Sequence, residues 1–231
     1  MPRDFPAAVF DRVLQRVAAG VPHTEYQWAH SGPACNAIAY RFLGAAAADD
    51  SLTASLVSHG TAPPAPERTR QELDIFSFVS CACSAIESAA YGLFALGAML
   101  SPSHFPMSTG AELRRVTIRS TKEALMQAFP ADSLVVLLET LAQESEFDEL
   151  FAWRNVLIHR APAGRLIQLS AGTPATRLPP DAIRLAPHQV GGGADLPVGP
   201  SLSRDRRTWL AQNLTSLLEE ADRFLVRRAI P

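Results

Sequence analysis

The segment that most restricts the fold is the apolar run IFSFVSCACSAIESAAYGLFALGAML at residues 75–100. Its only side chain of full charge is that of Glu87, and the helical pattern extends back through ERTRQELD at 67–74. A run this long and apolar is either the buried central helix of a helical protein or a membrane span. No basic flank follows it, and it is rich in Ser, Ala and Cys, so we expect a buried central helix and no membrane attachment. A membrane-associated helical protein is the lowest-ranked alternative.

Helical periodicity continues through most of the chain up to residue 161. Apolar residues recur at helical spacing, or helix signals occur, at 5–19, in a second region through 36–48 (NAIAYRFLGAAAA) and on into 51–59 (SLTASLVSH), and at 110–128, 131–143 and 145–160. The breaks TAPPAP at 61–66 and SPSHFPMSTG at 101–110 bound the long helix, and Asp132 or Ser133 suits an N-cap. Because no strand-helix alternation and no Gly-rich phosphate loop occur, the sequence predicts an all-α helical bundle.

A change of composition precedes the last helix. Residues 160–203 hold seven of the 18 prolines and six of the 13 glycines, which predicts a loop or an irregular insert. Within it, RLIQL and AIRL could pair as a small hairpin. We therefore expect a single helical domain over 1–231, made of N-terminal helices (1–60), core bundle helices (67–161), the insert (162–203) and a C-terminal helix (204–229).

Charge and cysteine content limit the function classes. The formal net charge of −2 gives no general attraction to nucleic acid, so any contact with RNA must come from local groups. Cys35, Cys81 and Cys83 are an odd number without zinc-ligand spacing, and the histidines are scattered. We predict neither metal nor cofactor. The first residues contain acids and no continuous apolar segment, so no secretory signal is recognised and a cytoplasmic location is expected.

The segment FDELFAWRNVLIHRAPAG at 147–164 combines an amphipathic helix with misplaced polar groups. Phe147, Leu150, Phe151 and Ile158 define one apolar stripe at about 100° per residue, and Arg154 falls near its centre. Its guanidinium is therefore expected to point at the packed side or at a partner. Asn155 and His159 are four residues apart and share an edge of that stripe, so the three polar groups can converge at one rim.

The long helix repeats this anomaly at Glu87. Phe76, Val79, Cys83, Ala90 and Phe94 form a stripe on which Glu87 lies close to the middle. Because buried charges are costly unless they are paired, we predict an ion pair between Glu87 and Arg154. Two interpretations of that pair stay open: an internal bridge that holds two helices in register, and part of a functional site.

At these residues the sequence resembles the HEPN superfamily, whose members are all-helical. Many members carry an Arg-x4-6-His motif with a polar residue after the arginine, and RNVLIH here supplies Arg154, Asn155 and His159. The motif lies on a late helix of the predicted bundle. It follows the long helix on which Glu87 is expected to face inward, and it precedes a segment rich in proline and glycine. The resemblance covers residues 67–161 and the final helix, whereas 1–60 and the insert fall outside it.

The resemblance implies a metal-independent endoribonuclease of the kind found in toxin–antitoxin and antiviral systems. Such enzymes act as homodimers whose two motifs meet across a shared cleft, and an antitoxin protein is an implied partner. Arg154 would hold the scissile phosphate, Asn155 would orient it or the imidazole, and His159 would move the proton, with Glu87 as a further candidate site residue. The alternative from another class is a non-catalytic dimeric helical module that binds RNA or a partner protein.

Overall fold

A computed structural model describes residues 1–19, 25–159, 164–167, 183–186 and 196–228. These residues form eight helices and three short strands: α1 (Ala7–Ala19), α2 (Glu25–His59), α3 (Ala65–Leu100), α4 (Gly110–Leu113), α5 (Ile118–Ala128), α6 (Ser133–Leu141), α7 (Ser145–His159), β1 (Gly164–Ile167), β2 (Ile183–Ala186), β3 (Leu196–Pro197) and α8 (Ser201–Arg227). The prediction of an all-α fold is confirmed, because helices dominate and strand is almost absent.

The second helix is longer than the sequence predicts. The single helical region predicted through 36–48 and on into 51–59 is confirmed, because α2 runs unbroken through both; it begins earlier, at Glu25. The pair Asp49–Asp50 that separates them does not end the helix, because Arg207 binds both carboxylates, at 3.2 Å and 2.8 Å. The hydroxyl of Ser203 also donates to Asp49 at 2.6 Å, which lets that carboxylate lie almost fully buried.

The helix expected at 110–128 is interrupted. Thr117 has extended backbone, and its side chain accepts a hydrogen bond from the backbone N–H of Ser120, so that a new helix, α5, begins after it. Farther along, Asp132 is the N-cap of α6 and accepts from Leu134 N–H, which confirms one of the two expected capping residues. The single helix predicted over 110–128 is therefore wrong, since a helix start lies inside it.

The insert contains a small antiparallel sheet with strand order β1-β2-β3. β1 pairs antiparallel with β2 in the register Gly164–Ala186 to Ile167–Ile183, so the two segments that could pair do so. Arg165 on β1 donates to the backbone oxygen of Thr61 at 2.9 Å and to Gln71 at 3.0 Å. The rest of the insert, at 160–163, 168–182 and 187–195, lies outside the described residues.

The chain divides into two compact units, and the single helical domain expected over 1–231 stays a prediction. Unit 1 comprises Met1–Leu43, Ser84–Glu144 and Leu210–Pro231, and unit 2 comprises Gly44–Cys83 and Ser145–Trp209. Consequently α7 and the sheet belong to unit 2, whereas α1, α4, α5 and α6 belong to unit 1. The core of unit 1 is rich in phenylalanine, with a series of ring contacts that joins Phe94, Phe105, Phe129 and Phe224. The core of unit 2 includes Leu52, Phe78, Leu150, Trp153 and Leu185.

The length and composition of α3 would also allow it to cross a membrane. Of the most apolar 18-residue stretch of α3, 72% is buried inside the protein. Such burial is expected of a core helix, but the core helix of a soluble protein and a membrane span share these sequence properties. The absence of membrane attachment and the cytoplasmic location both stay predictions.

Candidate functional site

The helix that carries the RNVLIH motif forms as a single element over Ser145–His159. Glu146 and Asp148 occupy its first turn, where negative charge is favoured by the exposed N–H groups. Hydrogen bonds from its own backbone N–H and from the Ser145 hydroxyl hold the pKa of Glu146 below its usual range. Helical backbone continues through His159, so Asn155 and His159 are one turn apart along the helix.

The buried face of α7 differs from the predicted stripe. Leu150, Trp153 and Val156 are 1%, 3% and 1% exposed, whereas Ile158 is 41% exposed. Of the predicted stripe, Leu150 is buried, whereas Phe147 and Phe151 are half-buried and Ile158 is exposed. The stripe as a whole therefore does not face the core, and its other predicted environment, a partner, stays a prediction. Apolar residues occur on several sides of α7, so helical periodicity alone does not select one face, and burial of the large Trp153 indole favours the observed one.

Arg154 and Asn155 occupy different environments on α7. Arg154 is half-buried, and its guanidinium carbon lies 6.0 Å from the centroid of the Phe151 ring. Asn155 is exposed. The backbone of His159 ends the helix, but its side chain lies outside the described part of the structure. The structure thus brings the three residues together on one helix end and gives side-chain surroundings for Arg154 and Asn155.

Glu87 lies in unit 1 and is half-buried, although the sequence places it in the middle of a core-facing stripe. Cys83, Ala90 and Phe94 from that stripe are buried as expected. Glu87 instead lines a cleft, because α3 is buried around most of its circumference and its polar residues occupy the remaining edge. The expectation that Glu87 faces the buried interior is wrong, and its ion pair with Arg154 stays a prediction.

The cleft beside Glu87 was not anticipated from the sequence. It has a volume of about 510 Å³, and five of its lining residues bear titratable groups: His30, Arg41, Glu87, Tyr91 and Arg114. We call it the α2–α3 cleft after the two helices that supply most of its lining. His30 and Tyr91 are 61 residues apart in the chain yet lie 2.7 Å apart from ring nitrogen to hydroxyl oxygen. No local spacing rule connects them.

No group of three or more His, Cys, Asp or Glu residues within the described ranges has the arrangement of a metal site. The prediction that the protein uses neither metal nor cofactor is not tested by this finding. Comparison of the chain with protein-family models, with curated proteins and with solved structures finds no match. The resemblance to HEPN proteins therefore rests on the residues of α7 and their place in a helical chain.

Proposed function

We propose that the protein is a metal-independent endoribonuclease whose site is formed by Arg154, Asn155 and His159. The observation that carries the proposal is the unbroken course of α7 through the motif. It sets Asn155 and His159 one turn apart, with Arg154 adjacent to Asn155. These residue types at the end of one helix match the Arg-x4-6-His arrangement that HEPN-like sequences carry.

RNA cleavage at such a site needs no metal, because RNA supplies the 2′-OH as an internal nucleophile. The 2′-oxygen forms a new bond to phosphorus while the bond from phosphorus to the 5′-oxygen breaks. His159 accepts the 2′-OH proton or donates a proton to the 5′-oxygen, since imidazole titrates near neutrality. In a homodimer one of the two histidines can accept the 2′-OH proton while the other donates a proton to the 5′-oxygen. The products are a 2′,3′-cyclic phosphate and a 5′-hydroxyl end.

The surroundings of Arg154 suit a phosphate ligand. The guanidinium carbon lies 6.0 Å from the centroid of the Phe151 ring, and the planar guanidinium fork matches the oxygens of a phosphate group. Asn155 is exposed, so its edge of α7 is open to a polymeric substrate. The extra negative charge of the pentacoordinate phosphorus would be stabilised by Arg154, which is the task that oxyanion-binding groups perform.

A dimer through the end of α7 is part of this proposal. Ile158 is 41% exposed beside the motif, and the rings of Phe147 and Phe151 stack at 4.4 Å without entering the most buried face. A second copy of α7 packed against this apolar edge would bring two sets of motif residues near one axis. Ile158→Asp should raise the dimer dissociation constant by about tenfold or more, because it places a charge in the apolar contact.

Light scattering and sedimentation measure this effect. The matched control is Val57→Asp, since Val57 is 79% exposed on α2 of the same unit. A wild-type monomer at micromolar concentration, with and without RNA, would refute the dimer.

The nuclease test uses purified protein in excess EDTA, a broad pool of cellular RNA and defined oligonucleotides with mapped ends. His159→Ala and Arg154→Ala should each reduce cleavage by about 10²- to 10⁴-fold, the range of a general acid or base. The wild type should leave cyclic phosphate ends, and a DNA analogue without the 2′-OH should resist. His59→Ala is the matched control, because His59 also ends a long helix but has no neighbouring Arg-Asn pair.

Two outcomes of that test would refute the nuclease proposal. Dimeric protein that cuts none of the RNAs would leave the second candidate, a non-catalytic dimeric module that binds RNA or a partner protein, which the exposed apolar edge of α7 also favours. Cleavage that persists after His159→Ala would place the activity at another site or in a contaminant. Growth arrest on expression, relieved by His159→Ala and by co-expression of a binding protein, would support a toxin with a cognate antitoxin.

A further inference from the structure

The α2–α3 cleft of unit 1 has an arrangement that the nuclease proposal does not use. Positions 30, 34, 37 and 41 recur at helical spacing on one face of α2, and all four line the cleft. Ala34 and Ala37 are small, whereas His30 and Arg41 stand at the two ends, about 16 Å apart along the helix axis at 1.5 Å per residue. Small residues between two long polar ones leave a gap whose ends bear hydrogen-bonding groups.

The end at Arg41 is basic and anchored. One guanidinium nitrogen, Nη1, donates to the backbone oxygen of Ser84 at 2.9 Å and to the hydroxyl of Ser88. Ser88 is 3% exposed and donates in turn to the Ser84 oxygen, so Arg41 is held on a buried support. The other nitrogens of Arg41, Nε and Nη2, make no hydrogen bond to the described residues. Arg114, exposed at the end of α4, adds a second guanidinium to the lining.

The opposite end combines a histidine and a tyrosine. Tyr91 Oη lies 2.7 Å from His30 Nδ1, and the two rings meet edge to face at 5.9 Å between centroids. Both side chains are half-buried. Glu87, one turn before Tyr91 on α3, adds a carboxylate that accepts hydrogen bonds from hydroxyl or amino groups.

We propose that the α2–α3 cleft binds a small phosphorylated sugar. Two guanidinium forks match the oxygens of a phosphate group, and Arg is favoured over Lys for such bidentate contacts. The neutral and acidic groups at the other positions suit the hydroxyls of the sugar, and the cleft volume of about 510 Å³ admits a molecule up to the size of a mononucleotide. The ligand is either a free sugar phosphate or the sugar phosphate portion of a mononucleotide. The binding does not depend on the nuclease proposal, because these residues lie in unit 1 and the motif lies in unit 2.

Calorimetric titration of the full chain tests this proposal. The probes are ribose 5-phosphate, adenosine 5′-monophosphate, ribose and inorganic phosphate, all at constant ionic strength. Ribose 5-phosphate should bind saturably and about tenfold or more tightly than ribose or inorganic phosphate, because it alone combines a phosphate for the arginines with hydroxyls for the other lining groups. If adenosine 5′-monophosphate binds more tightly than ribose 5-phosphate, the ligand is a nucleotide. If the two bind equally, the cleft recognises the sugar phosphate alone.

Two arginine variants locate the binding. Arg41→Gln and Arg114→Gln should each weaken ribose 5-phosphate by about tenfold or more, since each removes charge-assisted hydrogen bonds. Both arginines are exposed, so these changes leave the core intact. Arg119→Gln on nearby α5 is the control and should change affinity less than about twofold, because that exposed arginine pairs with Glu123 and lines no part of the cleft. Absence of saturable binding, equal affinity for inorganic phosphate, or binding unchanged in both cleft variants would overturn the proposal.

Discussion

Gly97 on α3 provides a sharp test of the packing in unit 1. A Cβ atom added there would lie 2.7 Å from Cδ1 of Phe105 and closer still to Cε1 and Cζ of the same ring. Phe105 is 1% exposed, and its ring contacts Phe94 at 5.1 Å and Phe129 at 6.4 Å between centroids. The ring cannot move away without displacing those neighbours, so Gly97→Ala should destabilise the protein.

The magnitude follows from two opposed terms. Replacing a helix-interior glycine by alanine normally stabilises by about 0.5 to 1 kcal/mol, because it reduces the entropy of the unfolded chain. Inserting a methyl group into a filled core costs about 1 to 3 kcal/mol. We therefore expect Gly97→Ala to lower the free energy of unfolding by about 1 to 2 kcal/mol, because a buried ring among other rings relaxes poorly.

Gly92 is the matched control, five residues earlier on the same helix. A Cβ there would meet only Ala34 Cβ at 3.7 Å, an ordinary van der Waals contact. Gly92→Ala should therefore be neutral or stabilising by up to about 1 kcal/mol. Urea unfolding followed by circular dichroism measures both changes. In a Phe105→Leu background the cost of Gly97→Ala should shrink, since the ring is gone. Strict additivity of the two changes, or a Gly97→Ala protein as stable as the wild type, would refute the reasoning.

Two further predictions concern titratable groups in the described part of the chain. Burial raises the pKa of the Cys35 thiol to about 11. Iodoacetamide at pH 8 should therefore alkylate half-buried Cys81 about tenfold faster than Cys35 in the native protein, as measured by peptide mass spectrometry. Equal alkylation rates of the two thiols in the native protein would contradict the burial of Cys35. Burial raises the pKa of Glu220, but hydrogen bonds from Ser133 and Arg227 outweigh this effect and hold it below its usual range. Its stabilisation is therefore present at neutral pH and is lost as the pH falls through the pKa of the folded state. Glu220→Gln should lower the free energy of unfolding at pH 7, with a deficit that shrinks toward pH 3, and a deficit that does not change with pH would contradict the linkage.

The helices that the sequence predicts well are those whose signals lie within one segment. The bounds of α3 and α7 follow from an apolar pattern that ends at Pro- and Gly-rich breaks. The continuity of α2 past Asp49 and Asp50 is less evident from local sequence, because these acids are compensated by Arg207, a partner 158 and 157 residues away. The break before α5 was missed because its capping box has Ser120 at the third position, where the usual signal is Glu or Gln.

The candidate site residues also differ in whether the local sequence is enough to group them. Spacing within one helix suffices to group Arg154, Asn155 and His159, because helix geometry alone makes them neighbours. It does not specify which side of α7 is buried, since that depends on which side chain, here Trp153, fills the core of unit 2. The His30–Tyr91 pair depends wholly on how α2 meets α3, and neither residue has a local neighbour that would mark it. A histidine judged alone is most simply interpreted as a surface or capping residue. It becomes a candidate for ligand binding only when the fold places it in a cleft with groups of complementary chemistry.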